Sequence, residues 1–118
     1  MSLDFYDYNG TPIAYTDDET HIFTFSGEPV AYIDGDSVYS FRGSHIGRFD
    51  SGLIRDNGGD VVFFTDGASG GPLKPLKKLK PLKGLKKLKP LKGLKVIKPL
   101  KPLNSSSWSA LSDEQFFA

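Results

Sequence analysis

The sequence predicts an all-β fold: four β-hairpin repeats with pseudo-fourfold symmetry, then an extended polyproline-II-like Leu-Lys tract and a short C-terminal aromatic tail. Three observations carry this reading. A glycine recurs at Gly10, Gly27, Gly43 and Gly59, at intervals of 17, 16 and 16 residues, inside segments that share one pattern. From Pro72 to Asn104 the chain proceeds in eleven triplets whose middle residue is leucine, or Ile97 in its place. After the tract the sequence turns aromatic again, with Trp108, Phe116 and Phe117. These features divide the chain into a four-repeat β domain over 1–68, a Gly-rich linker and xLK tract over 69–104, and a docking tail over 105–118.

The repeats read FYDYNGTPIAYTD, IFTFSGEPVAYID, VYSFRGSHIGRFD and IRDNGGDVVFFTD. Five residues before each glycine stand Phe5, Ile22, Val38 and Ile54, and three after it stand Ile13, Val30, Ile46 and Val62. The flanks are rich in aromatic and β-branched residues, which suit a pleated, half-buried surface, so each unit reads as strand, tight turn, strand. Asn9-Gly10 predicts a two-residue turn in which both residues take positive φ; Ser26-Gly27, Arg42-Gly43 and Gly58-Gly59 are weaker versions. One hairpin is marginal in water, so four must share a core. Equal hairpins with short connections predict closure around a fourfold axis with the repeated aliphatic positions inward; an open eight-stranded meander is the competing arrangement. A core this small stabilises weakly by burial alone, which leaves the tract and tail to cover what remains apolar.

The period of the tract selects its conformation. An α-helix would smear the leucines around its surface and would be broken by Pro75, Pro81, Pro90 and Pro99. A β-strand would send successive leucines to opposite faces. Polyproline II has three residues per turn and accepts proline, so it gathers leucines on one edge and lysines on another. A nine-residue period is nested within the triplets. Straight, the tract would extend about 100 Å, so it either bends at Gly84 and Gly93 or bundles with copies of itself. The leucine edge (Leu73, Leu76, Leu79, Leu82, Leu85, Leu88, Leu91, Leu94, Ile97 and Leu100), together with Trp108, is the expected interaction surface, and a homo-oligomer is the expected product. In the tail, Ser112 and Gln115 fit a capping box at a short helical turn, with the aromatics docking as a clasp.

The NG/SG-centred repeats, the stretch VVFFTDGASGGPLKPLKKLKPLKGLKKLKPLKGLK and the Ser-Trp-Ser that follows resemble the bacterial 4-fold β-flower family. The likeness spans nearly the whole chain. It implies a fourfold β architecture and carries no functional residues over to this sequence.

Charge is strongly segregated. All 12 lysines lie between Lys74 and Lys101, whereas residues 1–71 carry 12 acidic groups against Arg42, Arg48 and Arg55, a net of −9. Opposite blocks favour contact within the chain or between copies. The cationic edge formed by Lys74, Lys77, Lys80, Lys83, Lys86, Lys89, Lys92 and Lys95 is an alternative surface for an anionic polymer such as nucleic acid, or for an anionic membrane. It lacks the interleaved aromatics and arginines that base recognition uses.

Chemistry is harder to find. Seven residues after each glycine comes an aspartate: Asp17, Asp34, Asp50 and Asp66. Fourfold closure could gather them into a calcium-binding ring, or each could open a turn by accepting backbone amides. His21 and His45 fall at different repeat phases and read as ordinary turn or surface histidines. Neither a cofactor nor a specific small-molecule substrate is expected, and the chain reads as a non-enzymatic structural module. Cysteine is absent, no basic-then-apolar leader opens the sequence and no membrane-spanning run occurs, so a cytoplasmic location is the expectation.

Overall fold

The fold is built from one turn used four times. In the first hairpin the Asp7 amide donates to the Thr11 carbonyl at 3.0 Å and the Gly10 amide to the Asp7 carbonyl at 2.9 Å. The same pair of bonds closes the tips at Gly27, Gly43 and Gly59. All four glycines are left-handed, with φ from 76° to 103°. Among the described residues only Glu19 and Ser51 share positive φ without being glycine, so Asn9 does not. The tips are therefore three-residue loops that end on a left-handed glycine, not the two-residue turns predicted from Asn9-Gly10. The residue three before each glycine explains the difference: Asp7, Thr24, Ser40 and Asp56 each accept the amide just past the glycine through a side-chain oxygen at 2.9–3.1 Å.

The computed structural model describes residues 2–118. The hairpins are β1 (Leu3–Tyr6) with β2 (Pro12–Thr16), β3 (His21–Thr24) with β4 (Pro29–Asp34), β5 (Ser37–Tyr39) with β6 (His45–Asp50), and β7 (Leu53–Asp56) with β8 (Val61–Phe64). Register slips once in every hairpin at the same place, between Phe5 and Tyr6, Ile22 and Phe23, Val38 and Tyr39, and Ile54 and Arg55. Bulges of this kind bend a strand and increase its twist, which helps a small sheet to curl. All eight strands pair antiparallel with their sequence neighbours, and Tyr6 opposite Phe64 joins β1 to β8. The result is a closed barrel rather than an open meander, and closure removes the exposed edges.

The repeated positions fill the interior. Phe5, Ile22, Val38 and Ile54 are fully buried, in one cluster with Ala14, Ala31, Val62 and Phe63. Ile13, Val30 and Ile46 are only half-buried and pack against that cluster alongside Phe117. The C-terminal helix α1 (Asp113–Phe117) completes it. Its capping box is formed as expected: the Gln115 amide donates to Ser112 Oγ at 3.1 Å, and the Ser112 amide to Gln115 Oε1 at 2.9 Å. This fixes the approach of Phe116, which is 3% exposed and meets Phe63 edge to face at 5.6 Å. Gly47 sits close to both β7 and the helix. A β-carbon there would stand 2.1 Å from the Arg55 carbonyl oxygen and 3.1 Å from the Phe116 ring, whereas the equivalent repeat positions hold Ala14, Ala31 and Phe63.

If Phe116 is part of the core, Phe116→Ala should cost about 3–5 kcal/mol in urea unfolding with an unchanged denaturant slope. A loss below about 1 kcal/mol would mean that the barrel is complete without its helix.

Candidate interaction surface

Where neighbouring hairpins meet, the outer barrel wall carries a pair of facing side chains. Three junctions hold stacked aromatics: Tyr6 with Phe64 at 5.5 Å, Tyr15 with Phe23 at 6.2 Å, and Tyr32 with Tyr39 at 5.8 Å. The fourth holds Arg48 opposite Arg55.

The Leu-Lys tract runs around this wall as a belt. It has no helix or strand from residue 72 to 104. It begins where Gly71 packs on Leu53 and Val61, and it ends where Val61 exchanges backbone bonds with Ser107 and Ser109, at 3.0 and 2.7 Å. Between these points it visits the tips in order. The amides of Lys78, Lys87, Val96 and Ser105, nine residues apart, donate to the carbonyls of Gly10, Gly27, Gly43 and Gly59 at 2.8–3.1 Å. The Leu76, Leu85, Leu94 and Leu103 carbonyls lie where a β-carbon on each tip glycine would be. Glycine is thus required twice over at these tips, for its left-handed φ and for the close approach of the belt. Gly84 and Gly93 meet the same demand from the belt side. Their amides donate to Phe25 and Phe41, both at 2.7 Å, and a β-carbon on Gly84 would sit 2.6 Å from the Ser26 carbonyl oxygen. They are points of contact with the barrel, not merely bends.

The lysines turn inward. Lys77 pairs with Asp66 and Lys95 with Asp34; Lys86 and Lys83 reach Asp17 at 2.7 and 3.5 Å, Lys80 reaches Asp4 at 2.9 Å, and Lys87 meets Glu28. Their ammonium groups also lie over the junction aromatics, Lys83 at 4.1 Å from the Tyr15 ring and Lys92 at 4.4 Å from that of Tyr32. Lys74 folds back onto the Gly70 carbonyl. Lys89 and Lys101 form none of the described ion pairs. Individually such exposed pairs are weak. Their phase is what matters, since one lysine in every nine residues meets the phased aspartate at three of the four junctions.

This placement settles what the phased aspartates do. They are not drawn together into a ring, and among the described residues no cluster of three or more acidic or histidine side chains could hold a metal ion. Nor do Asp17, Asp34 and Asp66 open turns through backbone amides. Hydrogen bonds from Lys86, Lys95 and Lys77 respectively hold their carboxyls below the ordinary value of 3.8. The turn-opening role falls to Asp18, which accepts the amides of Thr20 and His21 and the His21 ring at 2.7–3.0 Å. Burial opposes ionisation of Asp18, but those bonds outweigh it and keep the carboxyl far below the usual range. Asp50 alone among the four lacks a belt lysine among the described residues. His45 is buried between Asn57 and Ser37, at 2.9 and 3.0 Å, and burial pushes its ring down from 6.5.

The leucines point away from everything. Leu73, Leu76 and every later middle residue through Leu103 is 93–97% exposed. Trp108 differs: it is half-buried and docks on the chain's own Phe64 at 6.0 Å, within the cluster of Tyr6, Leu53 and Val61. Sequence reasoning found the two edges of the tract but missed the turn-capping Asp7, Thr24, Ser40 and Asp56. Their recurrence three residues before each glycine was the signal available.

Four bulged hairpins closed into a barrel and bound by a belt in step with them define a fourfold, petal-like β protein. The chain belongs to the 4-fold beta flower protein family, whose profile matches residues 3–117. Comparison with curated proteins and with solved structures gives no match.

The aspartate–lysine pairs imply a definite response to acid. A carboxylate whose pKa is lowered on folding contributes stability above its unfolded value, and that contribution is lost as pH falls through the folded value. Amide protection at Lys78, Lys87 and Val96, corrected for intrinsic exchange, should therefore hold above about pH 4 and decline as pH falls further below it. High salt should lower it at neutral pH as well, by screening the exposed pairs. Protection that is flat in both titrations would show that backbone bonds alone retain the belt.

Proposed function

We propose that this protein is a non-enzymatic assembly module whose copies associate through the outer leucine edge of the belt. The observation that carries this is the division of the tract, with its lysines turned onto the chain's own acids and aromatics and its leucines left 93–97% exposed. An apolar band of that length exceeds what single-chain proteins ordinarily leave in water. A three-residue-per-turn extended helix accounts for the pattern. At about 3.1 Å per residue, nine residues span about 28 Å, and four such steps match the roughly 115 Å circumference of a body measuring 37 × 36 × 24 Å. Leucines then recur at about 9 Å, wide enough for an identical row from a second copy to interleave. A second copy is therefore the partner with matching spacing as well as matching chemistry.

The alternative, a polyanion or anionic membrane bound through the lysine edge, is less well supported. Seven of the twelve lysines already pair with carboxylates of the same chain. A phosphate backbone would have to displace those carboxylates.

Sedimentation against concentration tests the proposal. Wild-type chains should exceed the 13.0 kDa mass of one copy at micromolar concentration. The triple variant Leu79→Ser, Leu88→Ser, Ile97→Ser should remain single while its unfolding free energy shifts by less than about 0.5 kcal/mol, as expected at exposed positions. Wild-type protein that stays single at millimolar concentration sinks the assembly reading. Retention on anionic vesicles that the leucine substitutions leave unchanged but salt abolishes would favour the lysine edge instead.

A further inference from the structure

The fourth junction breaks the pattern of the other three in a consistent way. At the nine-residue phase of Lys77, Lys86 and Lys95 the belt carries Asn104, and the phased Asp50 has no lysine partner among the described residues. The cations have moved to the barrel wall, where Arg48 and Arg55 stand directly opposite each other on β6 and β7. Each is 8% exposed. Like charges in register repel, and a buried charge needs a counter-charge.

The hydrogen bonds satisfy this arrangement incompletely. Arg55 Nη1 donates to the Gly59 and Ser105 carbonyls at 2.7 and 2.6 Å, and Arg48 Nη2 to the Pro99 carbonyl at 2.6 Å. Arg48 Nη1 is buried with no partner. Arg48 lines a small space, partly open to solvent, shared with Arg55, Lys101, Asn104, Asp50 and Asp56. The Asp56 carboxylate is already engaged with the amides of Gly58 and Asp60 and the Ser109 hydroxyl. Three cations thus line this space with two carboxylates, one of them committed elsewhere, and Arg48 Nη1 has no hydrogen-bond partner among the described residues.

We infer that this junction is a binding site for a monatomic anion of the chloride class, held by Arg48 Nη1 under the last quarter of the belt. Size sets the class. The space is about 10 Å³, room for one small sphere, and a phosphate or a carboxylate could not be enclosed within it. Charge favours an anion over water, because one negative charge neutralises the excess and relieves the facing arginines. The anion does at this junction what the Lys–Asp pairs do at the others: it ties belt to barrel through the junction's own cations.

The test uses the full-length protein with chloride or bromide titrated against methanesulfonate at constant ionic strength. A saturable rise in thermal midpoint and a matching shift of the Arg48 guanidinium NMR signals are expected with the halide. Arg48→Met should abolish both. Lys101→Met, a change at an exposed belt position, should raise the half-saturating concentration by about tenfold, the weight of one charge-assisted contact. In bromide-soaked crystals an anomalous peak should lie within hydrogen-bond distance of Arg48 Nη1. Midpoints that depend on ionic strength alone, an unchanged half-saturation in Lys101→Met, or a bromide-free density at Arg48 would each overturn the inference in favour of a bound water. Should Arg48→Met fail to fold, the Lys101→Met titration and the bromide map still decide the matter.

Discussion

The structure depends on one commensurate fit, nine residues of extended chain to one hairpin of the barrel. At each hairpin tip a left-handed glycine presents its carbonyl outward, and an amide of the belt reaches it every ninth residue. Neither partner is adjustable. The tip cannot carry a side chain without striking the belt carbonyl, and Gly84 and Gly93 cannot carry one without striking Ser26 and Arg42. Because both repeats are rigid at these points, a one-residue slip of the belt would misplace all later contacts together. The cooperative cost of such a slip, rather than the strength of any single bond, fixes the register.

With the register fixed, the remaining chemistry of the tract is assigned by its period. One residue in three must face the barrel wall, and there lysine suits both halves of what it meets, the aromatic pairs and the phased aspartates. The first residue of the triplet supplies the backbone contacts: Lys78, Lys87 and Val96 donate their amides to the tips, glycine stands where the gap closes at Gly84 and Gly93, and proline fills most of the remaining positions. The fourth quarter shows that this is a balance of charge and not a fixed recipe. When the barrel supplies Arg48 and Arg55 in place of aromatics, the belt gives up its lysine at Asn104 and offers the carbonyls of Pro99 and Ser105 to the guanidinium groups.

Much of this was legible in the residues themselves. The spacing of Gly10, Gly27, Gly43 and Gly59 yields four hairpins, and the identical aliphatic positions Phe5, Ile22, Val38 and Ile54 yield their shared core. Ser112 and Gln115 announce the helix that brings Phe116 inward. The turn type was not legible from Asn9-Gly10, because the deciding bond comes from Asp7, a residue that the dipeptide signal ignores. The role of the phased aspartates was hidden for a related reason. Lys86 lies 69 residues from Asp17 and Lys95 lies 61 from Asp34, and only the matching of two different repeat lengths pairs them. Trp108 was read both in a docking tail and in the partner surface, since composition alone cannot say whether an aromatic meets its own chain or another; it packs on Phe64.

The leucine position stands apart because nothing in the chain requires it. Glycine at the tips and lysine toward the wall are each explained by an atom that they touch, but the leucine side chains from Leu73 to Leu103 touch almost nothing of their own molecule. A belt that served only to bind the barrel would be better soluble with threonine, glutamine or a further lysine in that place, and would fold as well. Apolar side chains held in water disfavour the isolated state by leaving surface that any suitable partner can cover. The proposed assembly gives that surface a partner with the same spacing. It also explains why the cations are turned inward, since ammonium groups beside the leucines on the outer edge would repel the same groups of the approaching copy.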